Sequence, residues 1–185
     1  MLIFLILLFQ TFSVFTNSVS ICKYQYSSQL LNKFQLRGYY QDVAAEFNGT
    51  FVKNARNIRF VGSSLNISPF RYQLYYVWNR QGHVGTLAST STSIDIQFSQ
   101  AYEINQIIVW FYDIDGRNHC FKIIAFDQYN QETELFQGLN LIGIVKISFQ
   151  DQIVQTLKIV LLPGGTYNDL NIIKISAFYA NRSMI

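Results

Sequence analysis

The sequence predicts an all-β fold, an antiparallel β-sandwich, and two features of its second half carry this prediction. Apolar and polar residues alternate strictly in several short segments, as in residues 94–98, Ile-Asp-Ile-Gln-Phe. Strict alternation places the apolar side chains on one face of a strand and the polar side chains on the other. Turn-forming residues separate these segments, and no long helical pattern interrupts them. Short strands at this spacing are typical of sandwiches.

Six segments of the second half are predicted to be strands. Two of them are almost continuously apolar, as expected for strands at the centre of a sheet. In chain order the six segments are residues 94–98, 107–112, 121–126, 145–149, 157–161 and 173–176. Turns are predicted where Gly, Pro, Asp and Asn interrupt this pattern, at residues 115–116, 128–130 and 163–165.

The first half gives weaker signals. Residues 72–78 are predicted to form a strand or an aromatic floor beneath one, whereas residues 82–93 are small and polar and are predicted to be a loop. Residues 41–70 are expected to form loops with one short helical turn. No change of composition divides residues 21–185, so we expect a single domain there.

Composition excludes several classes of function. The chain has 185 residues, of which 50% are hydrophobic, and 14 basic residues stand against 11 acidic ones. This net charge of +3 is scattered along the chain, which is unlike the basic stripe of a nucleic-acid-binding protein. Binding to an anionic membrane needs exposed apolar loop tips beside basic residues. Only Phe70-Arg71 hints at such a tip, so membrane binding is not the favoured function.

The first 20 residues are typical of a secretory signal peptide. They contain an apolar stretch without any charged side chain, and Ser18-Val19-Ser20 provides the small residues of a cleavage site. A basic residue before the apolar stretch is missing. Polar residues interrupt the stretch, which makes an uncleaved membrane anchor the weaker interpretation. We therefore expect a protein of residues 21–185 that is secreted or lies in the lumen of the secretory pathway.

Glycosylation and a disulfide bond are both expected in an exported protein, and the sequence contains candidate residues for each. Asn48, Asn66 and Asn181 each begin an Asn-x-Ser/Thr triplet and are candidate glycosylation sites. Cys22 and Cys120 are the two cysteines, and in an oxidising compartment they form a candidate disulfide. Two buried free thiols are the alternative, because the sequence does not fix the pairing.

The motif Asp113-Ile114-Asp115-Gly116-Arg117 stands between two apolar strands and allows three interpretations. A calcium loop of the EF-hand type would end with Glu at its twelfth position, which is Ile124 here, and Arg117 would place a cation in the site. An acid–base pair needs a cleft that separates two pKa values. On an extended segment Asp113 and Asp115 would instead share one face, close to that cation.

We favour a structural brace for Asp113, Asp115 and Arg117. The planar guanidinium of Arg117 has five donors and can tie a carboxylate to nearby carbonyl groups, which would fix the crossing between the two strands. Serine-hydrolase chemistry is not indicated, because the chain has two histidines and no Gly-x-Ser-x-Gly sequence. No metal site, no cofactor and no enzymatic activity is predicted.

Residues 68–83 interleave aromatic and basic side chains and are the leading candidate for ligand binding. Aromatic faces stack on sugar rings, and the same residues can anchor a protein contact. Alternation buries about half of them in a strand, so a core role for these aromatics stays open. The loop at residues 166–169 is a second candidate. The predicted ligand-binding residues are Arg71, Tyr75, Trp78, Arg80, His83, Tyr167 and Asn168.

Residues 91–138, STSIDIQFSQAYEINQIIVWFYDIDGRNHCFKIIAFDQYNQETELFQG, resemble the discoidin-like domain, also called the coagulation-factor type C domain. The alternating strand at residues 94–98 is followed by residues 101–104, by the strand at residues 107–111, by Asp-x-Asp-x-Arg and by an aromatic strand. The subgroup associated with BTB proteins is the most similar. Two closing strands, at residues 157–161 and 170–179, extend the resemblance to about residue 180.

The resemblance implies a jelly-roll β-sandwich of the galactose-binding-like class and no catalysis. Members of this family bind glycans, anionic lipids or protein surfaces through loops at one end of the sandwich. The expected function is therefore that of a secreted binding module for carbohydrate or glycoconjugate. The alternative is a structural subunit of an extracellular or secretory-pathway assembly, whose partner is a protein surface. Cys120 departs from the family, in which a disulfide often joins the two ends of the chain.

Overall fold

A computed structural model describes residues 27–54, 59–61, 68–71, 85–89 and 93–181. Its elements are a helix, α1, at residues 27–36, 3-10 helices at Gly38–Tyr40 and Glu46–Asn48, and eight strands. The strands are β1 (Phe51–Val52), β2 (Arg59–Val61), β3 (Gly85–Ser89), β4 (Ser93–Phe111), β5 (His119–Phe126), β6 (Glu132–Leu141), β7 (Ile144–Leu161) and β8 (Asp169–Phe178).

All described strand pairs are antiparallel, and two long strands organise them. The first half of β4 pairs with the second half of β7, whereas the second half of β4 pairs with the first half of β7. Between these regions the register breaks twice, between Gln97 and Tyr102 and between Ile104 and Gln106. Because such bulges bend a strand, β4 and β7 pass from one layer of the sandwich into the other.

Each layer therefore contains half of β4 and half of β7. The first layer has the order β1-β4-β7-β5-β6, and the second has the order β7-β4-β8-β3-β2. The core lies between the layers and is filled by the apolar positions of the alternating segments. Its members include Ile94, Ile96, Ile107, Val109, Phe111, Phe121, Ile123, Leu157, Ile159, Leu170, Ile172 and Ile175.

The fold class and the strands predicted in the second half are confirmed. Each of the six predicted segments lies in β4, β5, β7 or β8, although β4 ends at Phe111, one residue before the predicted end. The three predicted turns are also present. The short helical turn expected within residues 41–70 is the 3-10 helix Glu46–Asn48. The strand predicted at residues 72–78 lies outside the described residues.

Two regions differ from expectation. Within the loop predicted at residues 82–93, the prediction is wrong for residues 85–89, because β3 occupies Gly85–Ser89 and pairs with β8 from Thr86–Ile172 to Ser89–Asp169. Pairing of the backbone makes this strand, so its small and polar side chains gave no signal. Residues 113–116 are not extended either, because the amide of Gly116 donates to the carbonyl of Asp113 (3.0 Å) and closes a turn.

Candidate functional site

Two loops join at one end of the sandwich, and this loop end is defined by residues 112–118 after β4 and residues 162–168 after β7. Asn118 and Thr166 connect them. The amide and hydroxyl groups of Thr166 donate to Asn118 Oδ1 (2.6 and 2.8 Å), and the amide of Asn118 donates to Thr166 Oγ1 (3.1 Å). Several short hydrogen bonds between the same two residues hold both loops in a fixed relation.

Arg117 forms an ion pair with Asp115 at the loop end. Its Nε donates to Asp115 Oδ1 (2.8 Å) and its Nη2 donates to Asp115 Oδ2 (2.5 Å), which is the bidentate geometry that a guanidinium prefers. The pair lowers the pKa of Asp115, first through these hydrogen bonds, so the carboxylate is an ionised acceptor rather than an acid. Asp113 contributes the carbonyl of the turn, and its structural role differs from that of Asp115.

The guanidinium of Arg117 also lies against two aromatic rings. Its Cζ is 4.6 Å from the ring centroid of Tyr112 and 4.3 Å from that of Tyr167, close enough for cation–π attraction. Tyr112 is buried, whereas Tyr167 is 47% exposed. A partly exposed ion pair adds about 1 kcal/mol or less to stability. The Asp115–Arg117 pair therefore adds little to stability, but it holds the guanidinium beside the ring of Tyr167.

His119 lies directly beneath the loop end and is fully buried. Its ring stacks on Phe111 with 4.6 Å between the centroids and 26° between the planes. Burial lowers the pKa of His119, and the positive charge of Arg117 lowers it further, while the backbone of Tyr112 and of Asp169 acts in the opposite direction. The imidazole is therefore neutral in the folded protein at pH 7.

This lowered pKa predicts a loss of stability in weak acid. The unfolded chain gains a proton at His119 as the pH falls below about 6.5, whereas the folded chain gains it only at lower pH. We expect the free energy of unfolding to fall over this interval with a slope of up to about 1.4 kcal/mol per pH unit from this group. Urea unfolding at several pH values measures the slope.

The variant His119→Phe provides the control, because its ring can still stack on Phe111 but carries no titrating nitrogen. We expect its stability to change less with pH over the same interval. An equal slope in both proteins would assign the pH dependence to other groups.

The remaining candidate residues from the sequence are dispersed. Arg71 is 1% exposed and its Nη1 donates to the carbonyl of Ser68 (2.6 Å), which places its side chain inside the fold. Asn168 is exposed beside Tyr167 in the second loop of the loop end. The other four, Tyr75, Trp78, Arg80 and His83, lie outside the described residues.

The structure describes two of the three candidate glycosylation sites and one of the two cysteines. Asn181 is exposed, whereas Asn48 is half-buried and its Nδ2 donates to the carbonyl of Asp42 (2.8 Å). Cys120 is buried, and its Sγ accepts from the amide of Asn140 (3.3 Å). Asn66 and Cys22 lie outside the described residues, so glycosylation of the first and a Cys22–Cys120 disulfide stay predictions.

Sequence reasoning missed Tyr112 and Asn118 at this site. Tyr112 was assigned to a strand on its apolar character, and nothing local indicates that its ring lies against Arg117. Asn118 pairs with a residue 48 positions away, which only the fold brings close. In the part of the chain that the structure describes, no group of three or more His, Cys, Asp or Glu side chains is placed to hold a metal ion. The described helices include none long and apolar enough to cross a membrane.

Comparison with known proteins identifies the fold. The chain matches no protein-family model and no curated protein, but it does match solved structures. The family 32 carbohydrate-binding module from Streptococcus pneumoniae EndoD aligns with a TM-score of 0.52 and 9% identity, over 75% of this chain and 99% of that one. The structure described as SpGH29 aligns with a TM-score of 0.51 and 11% identity, over 80% of this chain and 30% of that one.

At these identities the likeness concerns the fold alone. This chain has a galactose-binding-like β-sandwich, the class that the resemblance to discoidin domains implied. The closer relation to the subgroup associated with BTB proteins stays a prediction.

Proposed function

We propose that this chain is a carbohydrate-binding module that holds a glycan at the loop end through Tyr167, Arg117 and Asn168. The observation that carries the proposal is the position of the Arg117 guanidinium. It is fixed by Asp115 and lies 4.3 Å from the ring of Tyr167, which is 47% exposed. A ring held in this way loses little conformational freedom when a ligand stacks on it, and such preorganisation improves affinity.

The chemistry of the loop end suits a sugar. The exposed ring of Tyr167 offers an apolar face to the C–H groups of a pyranose. Asn168 offers a carboxamide that both donates and accepts hydrogen bonds, as a sugar hydroxyl does. The fold shared with the pneumococcal carbohydrate-binding module supports the same ligand class. The lowered pKa of Asp115 argues against a role for this carboxyl as a general acid.

We further propose that the protein works outside the cell or in the lumen of the secretory pathway. Support for export comes from the apolar, uncharged residues 1–20, which are typical of a signal peptide. The three Asn-x-Ser/Thr triplets agree with this route. Mass spectrometry of the protein purified from a eukaryotic secretion host tests export directly, because it reports the mature N-terminus and any glycan on Asn48 or Asn181.

A glycan array tests the binding proposal, with the variants Tyr167→Ala and Tyr167→Phe beside the unmodified protein. Loss of the ring should weaken binding about tenfold, since a stacked ring contributes roughly 1 kcal/mol or somewhat more. The phenylalanine variant keeps the ring and should bind as the unmodified protein does. Trp78→Ala and Arg80→Ala test in the same way the aromatic stretch predicted from the sequence.

Stability separates loss of a contact from loss of the fold. Because Tyr167 is partly exposed and its described contact is the cation–π contact with Arg117, Tyr167→Ala should lower the free energy of unfolding by no more than about 1 kcal/mol. If the folded protein bound no glycan, the proposed function would be wrong. If Tyr167→Ala bound as tightly as the unmodified protein, the glycan site would have to lie elsewhere.

A second candidate function, docking into a protein assembly, is favoured by one observation. Three apolar side chains of α1 are 40% or more exposed: Leu30, Leu31 and Phe34. Soluble monomers expose such residues singly more often than in a group. Concentration-dependent association in sedimentation velocity, together with a blank glycan array, would favour this function over the first.

A further inference from the structure

A second concave site lies on an open side of the sandwich, between β6 at the edge of one layer and the first half of β7 at the edge of the other. Its volume is about 530 Å³, which is within the range of sites that bind small molecules. We call it the amide groove. The described residues that line it are Asn105, Gln106, Leu135, Ser148, Phe149, Gln150, Ala180 and Asn181.

We propose that the amide groove binds an uncharged glycan, as a site separate from the loop end. The proposal shares its ligand class with the proposed function but depends on different residues. Its chemistry is distinctive, because the eight described lining residues are all uncharged and four of them carry carboxamides. Carboxamides and hydroxyls both donate and accept hydrogen bonds, so such a lining complements a chain of sugar hydroxyls without favouring an ion.

Asn105 supports the groove. Its Oδ1 accepts from the amide of Ala180 (2.7 Å), and its Nδ2 donates to the carbonyl of Ala180 (3.0 Å) and to Asp151 Oδ1 (3.2 Å). These bonds satisfy the carboxamide and hold the segment after β8 against β4. These bonds give the groove a fixed wall, and they explain why the Asn105 side chain is buried.

Gln106 has no comparable structural role. Gln106 is 8% exposed. Its Nε2 donates to Ser148 Oγ at 3.3 Å. That distance is longer than the usual 2.7–3.2 Å of such bonds. Gln106 lines the groove, so its carboxamide can both donate to and accept from a ligand there. A sugar hydroxyl is a suitable partner because it has the same two capacities.

The break in register between Ile104 and Gln106 explains how two consecutive amides reach the same region. In a regular strand, neighbouring side chains point to opposite faces, so one of the two would enter the core. A bulge re-aims a side chain, and bulges are frequent beside functional sites.

Apolar residues complete the groove. Leu135 on β6 and Phe149 on β7 are half-buried and pack against the core, so their positions are fixed from behind. They add apolar surface to a lining that also carries carboxamides. Sugar rings have C–H faces as well as hydroxyl edges, and a site with both kinds of surface can contact both.

Titration of the 15N-labelled full chain, followed by NMR, tests the inference. The probes are neutral trisaccharides of galactose, of mannose and of N-acetylglucosamine, with a galacturonic acid trisaccharide as the charged comparison. We expect at least one neutral probe to shift the side-chain amide signals of Asn105 and Gln106 and the backbone signals of residues 148–150. The charged probe should shift them less.

Two variants locate the site. Gln106→Leu keeps the volume but removes the hydrogen-bonding groups, and Ser148→Trp fills the groove from an exposed position. Each should weaken the titration at the groove at least tenfold. Gln128→Leu is the matched control, because it makes the same substitution as Gln106→Leu at an exposed position in the turn between β5 and β6, outside the groove, and should leave the titration unchanged.

The loop-end proposal can fail independently of this one. Tyr167→Ala should leave the titration at the amide groove unchanged, whatever it does to binding at the loop end. The inference would be overturned if no neutral probe shifted the groove signals at millimolar concentration. It would also be overturned if Gln106→Leu and Ser148→Trp both titrated as the unmodified protein does.

Discussion

Replacing Phe121 with alanine should lower the free energy of unfolding by about 3 to 5 kcal/mol, the usual cost of removing a phenylalanine from a packed core. Phe121 is fully buried and stands in the middle of an aromatic row. Its ring centroid is 4.8 Å from that of Phe111 and 5.5 Å from that of Phe136. Because both neighbours belong to paired strands, they can relax only partly into the cavity, so urea unfolding should show most of the cost.

The matched control is Tyr129→Ala, which removes an aromatic side chain of similar size from a turn. Tyr129 is 74% exposed, so its loss should change the free energy of unfolding by no more than about 0.5 kcal/mol. A loss of less than about 1 kcal/mol for Phe121→Ala would contradict the packing between the two layers. Such a result would mean that the aromatic row is not at the centre of the fold.

The elements that could be predicted from the sequence are those whose side chains alternate between core and solvent. Residues 94–98 and 157–161 are of this kind, and they pair with each other across β4 and β7. By contrast β6 has no fully buried position, although Leu135, Phe136 and Leu141 pack against the core, and it pairs along its length with β5. A strand without regular alternation between core and solvent leaves little trace in its sequence, which is why β6 escaped prediction. In β3 the sequence Gly-Thr-Leu-Ala-Ser is too short and too rich in small residues to indicate a strand.

The candidate site was also only partly predictable from the sequence. The sequence indicated that Arg117 would pair with an aspartate, because the two residues are close along the chain. It could not indicate that the Arg117 guanidinium lies against Tyr167, 50 positions away, since that contact depends on how two loops meet. The amide groove was missed for a different reason. Asn105-Gln106 interrupts an apolar run, and only the break in register explains where the two side chains go.

Replacing Asp42 with alanine should have the second largest effect on stability. Asp42 Oδ1 accepts from the amide of Ala44 (3.0 Å) and from the amide of Ala177 on β8 (2.9 Å). Ala44 and Ala177 are both fully buried. The substitution would leave two buried N–H groups without this acceptor, and we expect a loss of about 2 to 4 kcal/mol, measured by urea unfolding.

The position of Asp42 explains why one oxygen matters this much. The neighbouring amide of Val43 donates to the carbonyl of Ala177 (2.8 Å), so residues 42–44 are bonded along β8. The carbonyl of Asp42 also accepts from Asn48 Nδ2 (2.8 Å), which joins the 3-10 helix Glu46–Asn48 to the same point. Loss of the carboxylate should therefore loosen this whole segment, and amide exchange at Val43 and Ala44 should accelerate with that at Ala177.

The variant Asp42→Asn separates the geometry of the acceptor from its charge. Asparagine keeps an oxygen at the position of Oδ1 but lacks the charge, and hydrogen bonds to an ionised acceptor are roughly twice as strong as those to a neutral one. We expect it to lose about 1 kcal/mol and to keep slow exchange at Ala177. If asparagine and alanine were equally harmful, charge rather than the two hydrogen bonds would hold the segment on β8. If neither were harmful, the contact between residues 42–44 and β8 would not contribute to the stability of the fold.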